Sequence, residues 1–177
     1  MRKKRKWIIV AVILLIIVIS QIFVNVKYLY NPVTFPKGNV SDITRLSYTD
    51  FIRPLVFEAV TWDNDGNQYF YQYISDEKEI KNMIKLFDKS TKLVDYSMDD
   101  FLEDMNEAET IGKYTFHLKQ LVIVNGQEIA GKTLFSFDFY EGKEVFKVSN
   151  AHFYELTNEF RDALFSALSD ESKWVAY

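Results

Sequence analysis

The chain has 177 residues, of which 48% are hydrophobic and 16% aromatic, and it contains no cysteine. A chain without cysteine has no disulfides, no thiol chemistry and no lipid attached through a cysteine. Residues 27–177 contain sixteen Lys and Arg residues and twenty-five Asp and Glu residues, which gives them a formal charge of −9. Nucleic acid requires a basic surface for its phosphates, so we expect no nucleic-acid partner.

Residues 7–26 form an uncharged stretch that is rich in Ile and Val. At about 1.5 Å rise per residue, twenty helical residues span roughly 30 Å, the thickness of the hydrocarbon core of a membrane. Basic residues occupy all of positions 2–6, whereas only Lys27 follows the stretch closely, and positive charge stays on the cytoplasmic side. We therefore expect a single-pass cell-membrane anchor at 7–26, with residues 1–6 as a cytoplasmic basic tail and the C-terminal domain extracytoplasmic.

The next segment, residues 27–40, contains Pro32 and Pro36, which disfavour a helix. We expect an extended tether that holds the following domain, residues 41–177, near the membrane. A cleaved signal peptide is the alternative to an anchor, because the small residues around Ser20 could be recognised by a peptidase.

Two apolar and aromatic runs, Leu55 to Trp62 and Gln68 to Ile74, predict a pair of β-strands. The DNDGN sequence at 63–67 is typical of a hairpin turn, because Gly accepts a positive φ and short polar side chains bond to the local backbone. An EF-hand calcium loop is the alternative. Gln68 lies where such a loop needs Gly, and Ile74 lies where it needs Glu, so the sequence favours the hairpin.

Apolar residues at helical spacing predict two helices, over about 75–90 and about 98–107. Asp76 and Glu79 can form a capping box at the start of the first helix. The apolar face of the first helix consists of Ile80, Met83, Ile84 and Phe87. The apolar face of the second helix consists of Met98, Phe101, Leu102 and Met105.

Alternating apolar and polar residues predict further strands from Lys113 onward. Asn125-Gly126 predicts a hairpin between two of these strands, and Glu141-Gly142 predicts a two-residue turn between the next two. The second turn would place Phe137 opposite Phe146 and Phe135 opposite Val148, which gives one aromatic core face.

A closing helix is predicted over about 151–168, with Asn150 as its cap. Its apolar side would consist of Phe153, Leu156, Phe160, Leu164 and Ala167. The elements together predict one compact α+β domain, with a mainly antiparallel sheet and two or three helices packed on it.

The first group of candidate binding residues lies in the acidic segment, residues 95–109, which contains seven acidic residues and no basic one. Like charges three or four residues apart destabilise a helix by a few tenths of a kcal/mol per pair. A basic partner, a divalent cation, or Lys and Arg residues elsewhere in the fold could compensate this repulsion, although a solvated acidic face is the simpler interpretation. The candidates in this segment are Asp99, Asp100, Glu103 and Asp104.

The second group is the tyrosine ladder, Tyr69, Tyr71 and Tyr73, which alternates on one side of its predicted strand. If helices cover the other side, the three rings form an open amphipathic surface that suits peptides or sugars. Tyrosine is also common inside sheets, and the sequence favours a ladder buried beneath another segment.

Signals for catalysis are few. His117 is predicted to be exposed on the polar side of its strand, without a partner. His152 lies near Glu155 and Glu159, but position 156 is Leu where an H-E-x-x-H zinc site needs His. Neither a G-x-S-x-G motif nor a phosphate-binding glycine loop occurs. The sequence therefore predicts no metal site and no cofactor.

Composition and organisation suit a protein of the bacterial cell envelope. We expect a non-enzymatic, membrane-anchored binding or accessory module that recognises an unknown protein or envelope partner. An envelope hydrolase that uses paired carboxylates is the alternative, because that mechanism leaves no fixed local motif.

Overall fold

A computed structural model describes residues 2–63, 68–105, 112–124, 127–148 and 152–176 of the chain. A long helix, α1 (Arg2–Lys27), precedes a domain whose described part has four further helices: α2 (Asn39–Asp42), α3 (Glu77–Lys89), α4 (Met98–Met105) and α5 (Asn158–Leu168). The strands are β1 (Leu55–Trp62), β2 (Tyr69–Ile74), β3 (Lys113–Val124), β4 (Gln127–Tyr140), β5 (Val145–Val148), β6 (His152–Glu155) and β7 (Val175–Ala176). They form one antiparallel sheet in the order β6-β5-β4-β3-β1-β2-β7, which confirms the predicted α+β class.

The helix α1 contains the stretch Lys6–Lys27, which is long and apolar enough to cross a membrane. Its apolar side chains are exposed along its length, as expected for a helix that packs on lipid and not on its own domain. The same properties fit a signal sequence. The direction in which the chain crosses a membrane stays a prediction.

The chain after α1 packs onto the domain, in contrast to the extended tether expected over 27–40. The side chains of Leu29, Tyr30 and Val40 are buried in the main core. The backbone N–H of Leu29 donates to Phe51 O at 2.8 Å. The prolines do exclude a helix directly after α1, but the apolar side chains around them find partners in the core.

The predicted pairing of the first two strands is confirmed. Trp62 lies opposite Tyr69, and Phe57 lies opposite Ile74. The backbone N–H of Asp63 donates to Gln68 O at 2.8 Å just beyond the pair. The turn residues 64–67, and with them the middle of the rejected calcium loop, lie outside the described residues.

Two faces of the sheet follow from the alternation of its side chains. On the core face, α3 and α5 cover a layer of aromatic rings that are all buried. These rings belong to Phe57, Phe116, Phe135, Phe137, Phe139, Phe146 and Tyr154. Among the residues that the structure describes, the opposite face is covered only at the β5–β6 end, where Phe101 of α4 packs against Phe153 of β6. Over β1, β2 and β3 it is open, and we call this part the open face.

Asp76 caps the helix α3, which confirms half of the predicted capping box. The Asp76 carboxylate accepts hydrogen bonds from the backbone N–H groups of Lys78 and Glu79 at 2.8 and 3.0 Å. All four side chains of its predicted apolar face are buried. The helix α4 is confirmed over Met98–Met105, but of its predicted apolar face Phe101 is buried while Met98 and Leu102 are exposed.

The pairing of β4 with β5 differs from the predicted register by two residues. Phe137 lies opposite Val148, and Phe139 lies opposite Phe146. The connection has four residues, 141–144, and within it the backbone N–H of Lys143 donates to Tyr140 O at 3.2 Å. A shift of two residues leaves every side chain on its face, so the predicted aromatic core face is present.

The predicted closing helix starts several residues later than expected. His152–Glu155 form β6, which pairs with β5 and buries Phe153 and Tyr154 on opposite faces of the sheet. A helix could not place two adjacent rings in this way. The helix α5 is capped by Thr157, and its Phe160 and Leu164 are buried as predicted. Asn150, the predicted cap, lies outside the described residues.

Candidate functional site

The open face carries a groove with a volume of about 470 Å³, which we call the tyrosine groove. It is built from alternate residues of three adjacent strands, and the pairing of β1 with β2 and β3 sets these residues side by side. The lining residues are Glu58, Val60, Trp62, Tyr69, Tyr71, Tyr73, His117 and Lys119.

The tyrosine ladder lies on the surface of this groove, so the interpretation as core beneath another segment is wrong. Tyr73 is 44% exposed, while Tyr69 and Tyr71 are half-buried. The rings of Tyr71 and Tyr73 meet edge to face, with centroids 5.6 Å apart. Those of Trp62 and Tyr69 are 6.5 Å apart. Four aromatic rings therefore line one stretch of solvent-accessible sheet.

One end of the groove is polar. The Lys119 ammonium forms an ion pair with the Glu58 carboxylate. The Tyr73 hydroxyl donates to the other oxygen of Glu58 at 3.3 Å. Burial raises the pKa of Tyr73, and the neighbouring Glu58 charge raises it further. The phenol therefore stays protonated and keeps its role as a donor.

His117 adds a neutral polar group to this end. Its side chain is half-buried, and its Nδ1 lies 2.7 Å from Ser136 Oγ, in contrast to the exposed and unpartnered histidine expected. Burial lowers the pKa of His117, and Lys119 lowers it further, while Glu58 and Asp138 oppose the change. The imidazole is therefore mainly uncharged near neutral pH.

The other end of the groove is aromatic. Glu58 and Trp62 are four residues apart on β1, which corresponds to about 13 Å. The Lys113 ammonium lies 5.4 Å from the centre of the Trp62 ring, so a cation already packs near that ring. The groove thus changes from hydrogen-bonding groups to ring surfaces along its length.

The four acidic candidates are not part of this groove. The Asp100 carboxylate accepts the N–H and the hydroxyl of Ser97 at 2.7 and 2.6 Å, and these bonds lower its pKa. Asp104 accepts the hydroxyl of Tyr96. Asp99 and Glu103 are exposed. Two of the four carboxylates therefore stabilise the helix start and its local packing.

A basic residue of β5, Lys147, packs against α4. The Lys147 ammonium lies 5.7 Å from the ring centre of Phe101 and forms an ion pair with Asp138 at 3.2 Å. Within the part of the chain that the structure describes, no group of three His, Cys, Asp or Glu side chains is placed to hold a metal ion.

His152 and its acidic neighbours do not share one flank. His152 and Glu155 lie three residues apart on β6 and so point to opposite sides of the strand, and Glu159 belongs to α5. His152 instead lines a polar depression with Asp42, Arg45 and Lys92. The structure therefore does not bring these three side chains together on one helix.

Five groove residues were not among the sequence candidates: Glu58, Val60, Trp62, His117 and Lys119. The alternation on β1 and β3 puts them on one side of their strands, but it does not show that this side is uncovered. Comparison of the chain with protein-family models, with curated proteins and with solved structures finds no match. The tyrosine groove itself is therefore the basis for a functional proposal.

Proposed function

We propose that this protein is a membrane-anchored, non-enzymatic binding module of the bacterial cell envelope, and that its ligand binds in the tyrosine groove. The observation that carries the proposal is the set of four partly exposed aromatic rings that lines the groove beside Glu58, His117 and Lys119. Binding sites are typically concave, rich in aromatic surface and furnished with a few polar groups that fix orientation. The volume of the groove falls in the range of such sites.

The shape of the groove favours an elongated, amphipathic ligand. Its length of about 13 Å suits a segment of a few residues or sugar units that lies along β1 and β2. Tyrosine rings give large contact areas at a small cost in side-chain entropy. At the polar end, the Tyr73 hydroxyl oxygen can accept a hydrogen bond from a ligand, and the His117 ring and the other N–H groups of the Lys119 ammonium can also bond to it.

A hydrolase with paired carboxylates is less well supported. Glu58 is the only carboxylate among the described residues that line the groove, and it is held by Lys119. Glycoside hydrolysis needs two carboxyl groups across the scissile bond, one of them with a raised pKa. In the described part of the chain, the carboxyl groups with a clear change in pKa are Asp50, Asp100 and Asp170, and all three changes are downward.

The anchor completes the proposal. If residues 7–26 cross the cell membrane with the basic residues inside, the groove lies outside the cytoplasm and close to the bilayer. A domain with a formal charge of −9 would select against polyanionic ligands. A neutral or cationic envelope component, or a neighbouring protein, fits this surface better.

Site-specific photocrosslinking in the native cells tests this proposal. A benzophenone amino acid at position 71 lies in the groove, whereas the same group at position 78 lies exposed on α3, against the other face. We expect an adduct of discrete mass from position 71, lost when Trp62 and Tyr69 are both replaced by Ala, and no such adduct from position 78. Equal adducts from both positions, or none from position 71, would contradict binding in the groove.

A further inference from the structure

The place where α1 joins the domain defines one end of the sheet. The backbone N–H of Arg53 donates to Lys27 O at 3.0 Å, and that of Leu29 donates to Phe51 O at 2.8 Å. The strand β1 starts at Leu55 and runs away from this junction. The start of β1 is therefore the end of the sheet that adjoins the proposed anchor.

The strands β3 and β4 continue past this end. The last residue of β3 that pairs with β1 is Gln120, opposite Leu55. The next N–H, from Leu121, donates to Pro54 O at 2.9 Å. Beyond it, 121–124 pair only with 127–130. At about 3.3 Å per residue, this two-stranded ribbon, which we call the β3–β4 arm, projects roughly 13 Å past the sheet.

The β3–β4 arm is rich in apolar residues, with Leu, Val, Ile and Val at positions 121–124. Val122 lies opposite Ile129, and these side chains are 42% and 45% exposed on the same side of the ribbon. Glu128 is the one charged residue of the arm, and Lys132 follows at its base with an exposed side chain. An isolated two-stranded ribbon gains little stability from itself, so exposed Val and Ile on it indicate a contact surface.

We propose that the β3–β4 arm rests in the interfacial layer of the membrane beside α1, as a second lipid contact of the domain. This inference rests on the proposed membrane anchoring. The arm leaves the sheet beside Pro54, next to the residue that bonds to the end of α1, and it runs in the direction opposite to β1. Lys27 and Lys132 lie near the two ends of this junction, and their charges complement anionic headgroups. A bilayer is therefore the apolar surface that it reaches first.

A second contact would fix the orientation of the groove. With one helix alone, only the tilt of α1 in the bilayer would set the orientation of the domain. With the β3–β4 arm in the interface, β1 would run away from the membrane and β2, which is antiparallel to it, would run back toward it. The Glu58 and Tyr73 end of the groove would then face the bilayer, and the Trp62 and Tyr69 end would lie about 13 Å farther out.

The absence of cysteine allows a direct test, because any introduced cysteine is the only one in the chain. Val122→Cys, Ile129→Cys, Gln68→Cys and Ile16→Cys variants of the full chain would be spin-labelled and placed in vesicles of phosphatidylcholine and phosphatidylglycerol. The depth of each label follows from its accessibility to oxygen and to a water-soluble paramagnetic reagent. Gln68 is the matched control at the far end of the sheet, and Ile16 reports on the anchor.

We expect the labels at 122 and 129 to lie about 5–10 Å inside the headgroup boundary, the depth of interfacial segments, while the label at 68 stays in water. Labels at 122 and 129 as accessible to the aqueous reagent as the label at 68 would overturn the inference. Spin coupling between labels of neighbouring molecules would instead assign the surface to a second copy, which also overturns it.

The label at Ile16 separates the two proposals. If it lies in lipid while positions 122 and 129 lie in water, the anchor stands and the second contact fails. If it does not lie in lipid, the membrane anchoring itself fails. Replacing Val122 and Ile129 together by Ser should leave the anchor inserted but bring the arm out of the interface, which a label at the adjacent Lys132→Cys would report as a loss of depth.

Discussion

The core face and the open face of the same sheet differ in what covers them and in what they contain. Under α3 and α5, phenylalanine rings pack against one another, for example Phe116 on Phe137 at 5.1 Å. On the open face, tyrosine and tryptophan rings stand beside an ion pair and a neutral histidine. One alternating pattern thus supplies a stabilising layer on one side and a recognition surface on the other.

This division implies that stability and binding can be changed separately. A fully buried apolar side chain contributes about 1.5–3 kcal/mol to the free energy of unfolding. Replacements of exposed surface residues usually change it by less than about 0.5 kcal/mol. Substitutions on the core face should therefore unfold the domain, and substitutions on the open face should leave it folded and remove its ligand.

The largest expected effect comes from the segment between α1 and β1. A protein that begins at Gly38 lacks the buried side chains Leu29 and Tyr30, whereas one that begins at Lys27 retains them. We expect the shorter protein to lose about 3–6 kcal/mol of the free energy of unfolding in urea titrations. Equal stability of the two proteins would place this segment outside the core after all.

The second prediction compares the cost in stability of one substitution on the core face with that of one on the open face. Phe137 is buried against Phe57, Phe146 and Phe160, so Phe137→Ala should cost roughly 3–5 kcal/mol. Tyr73→Ala on the open face should cost less than about 1 kcal/mol, because the residue is 44% exposed and no helix packs on it. Urea midpoints measure both changes. Similar costs at the two positions would remove the distinction between the faces.

Much of this architecture is readable from sequence, because side-chain alternation and helical spacing depend on local order alone. The strand Leu55–Trp62, the cap at Asp76 and the aromatic core side of β4 are found in this way. Pairing partners depend on the length of each turn. The predicted two-residue turn at Glu141-Gly142 gave the right faces with a register that is wrong by two residues.

The tyrosine groove shows where sequence reasoning fails. A five-residue turn over 63–67 would pair Trp62 with Gln68 and put the tyrosines on the side of Phe57. The observed pair is Trp62 with Tyr69, one residue later, and it puts them beside Glu58 instead. A shift of one residue exchanges the two faces, so turn geometry decides whether the ladder is core or surface. Which face of the sheet a helix covers also depends on long-range packing, so it cannot be read from the local sequence pattern.

The helix α4, which covers the part of the sheet next to the open face, provides a smaller test. Ser97 and Asp100 cap α4 reciprocally: the Asp100 N–H donates to Ser97 Oγ at 3.2 Å, and the Ser97 N–H donates to Asp100 at 2.7 Å. Ser97→Ala should therefore cost about 1 kcal/mol. Glu103→Gln should change stability by less than about 0.5 kcal/mol. A clear gain in melting temperature for Glu103→Gln would show that uncompensated repulsion dominates α4.

A still smaller effect should appear with pH. Burial holds the pKa of His117 below its ordinary value, so the unfolded chain binds this proton more readily than the folded domain. Stability should therefore decrease as the pH falls through the unfolded pKa of about 6.5 toward the lower folded pKa. Between about pH 7.5 and pH 5.5, the melting temperature should fall less for His117→Gln than for the unchanged protein. Identical slopes would show that His117 is not desolvated on the open face.

The most direct test of the central claim is oxidative footprinting of the full chain in its native membranes and after purification in detergent. If a ligand occupies the tyrosine groove, Tyr71 and Tyr73 should be labelled less in native membranes, while Met98, exposed on α4, should be labelled equally in both samples. Equal labelling of the two tyrosines would contradict the account. Protection of Met98 with unprotected tyrosines would also contradict it and would move the binding surface to the acidic segment.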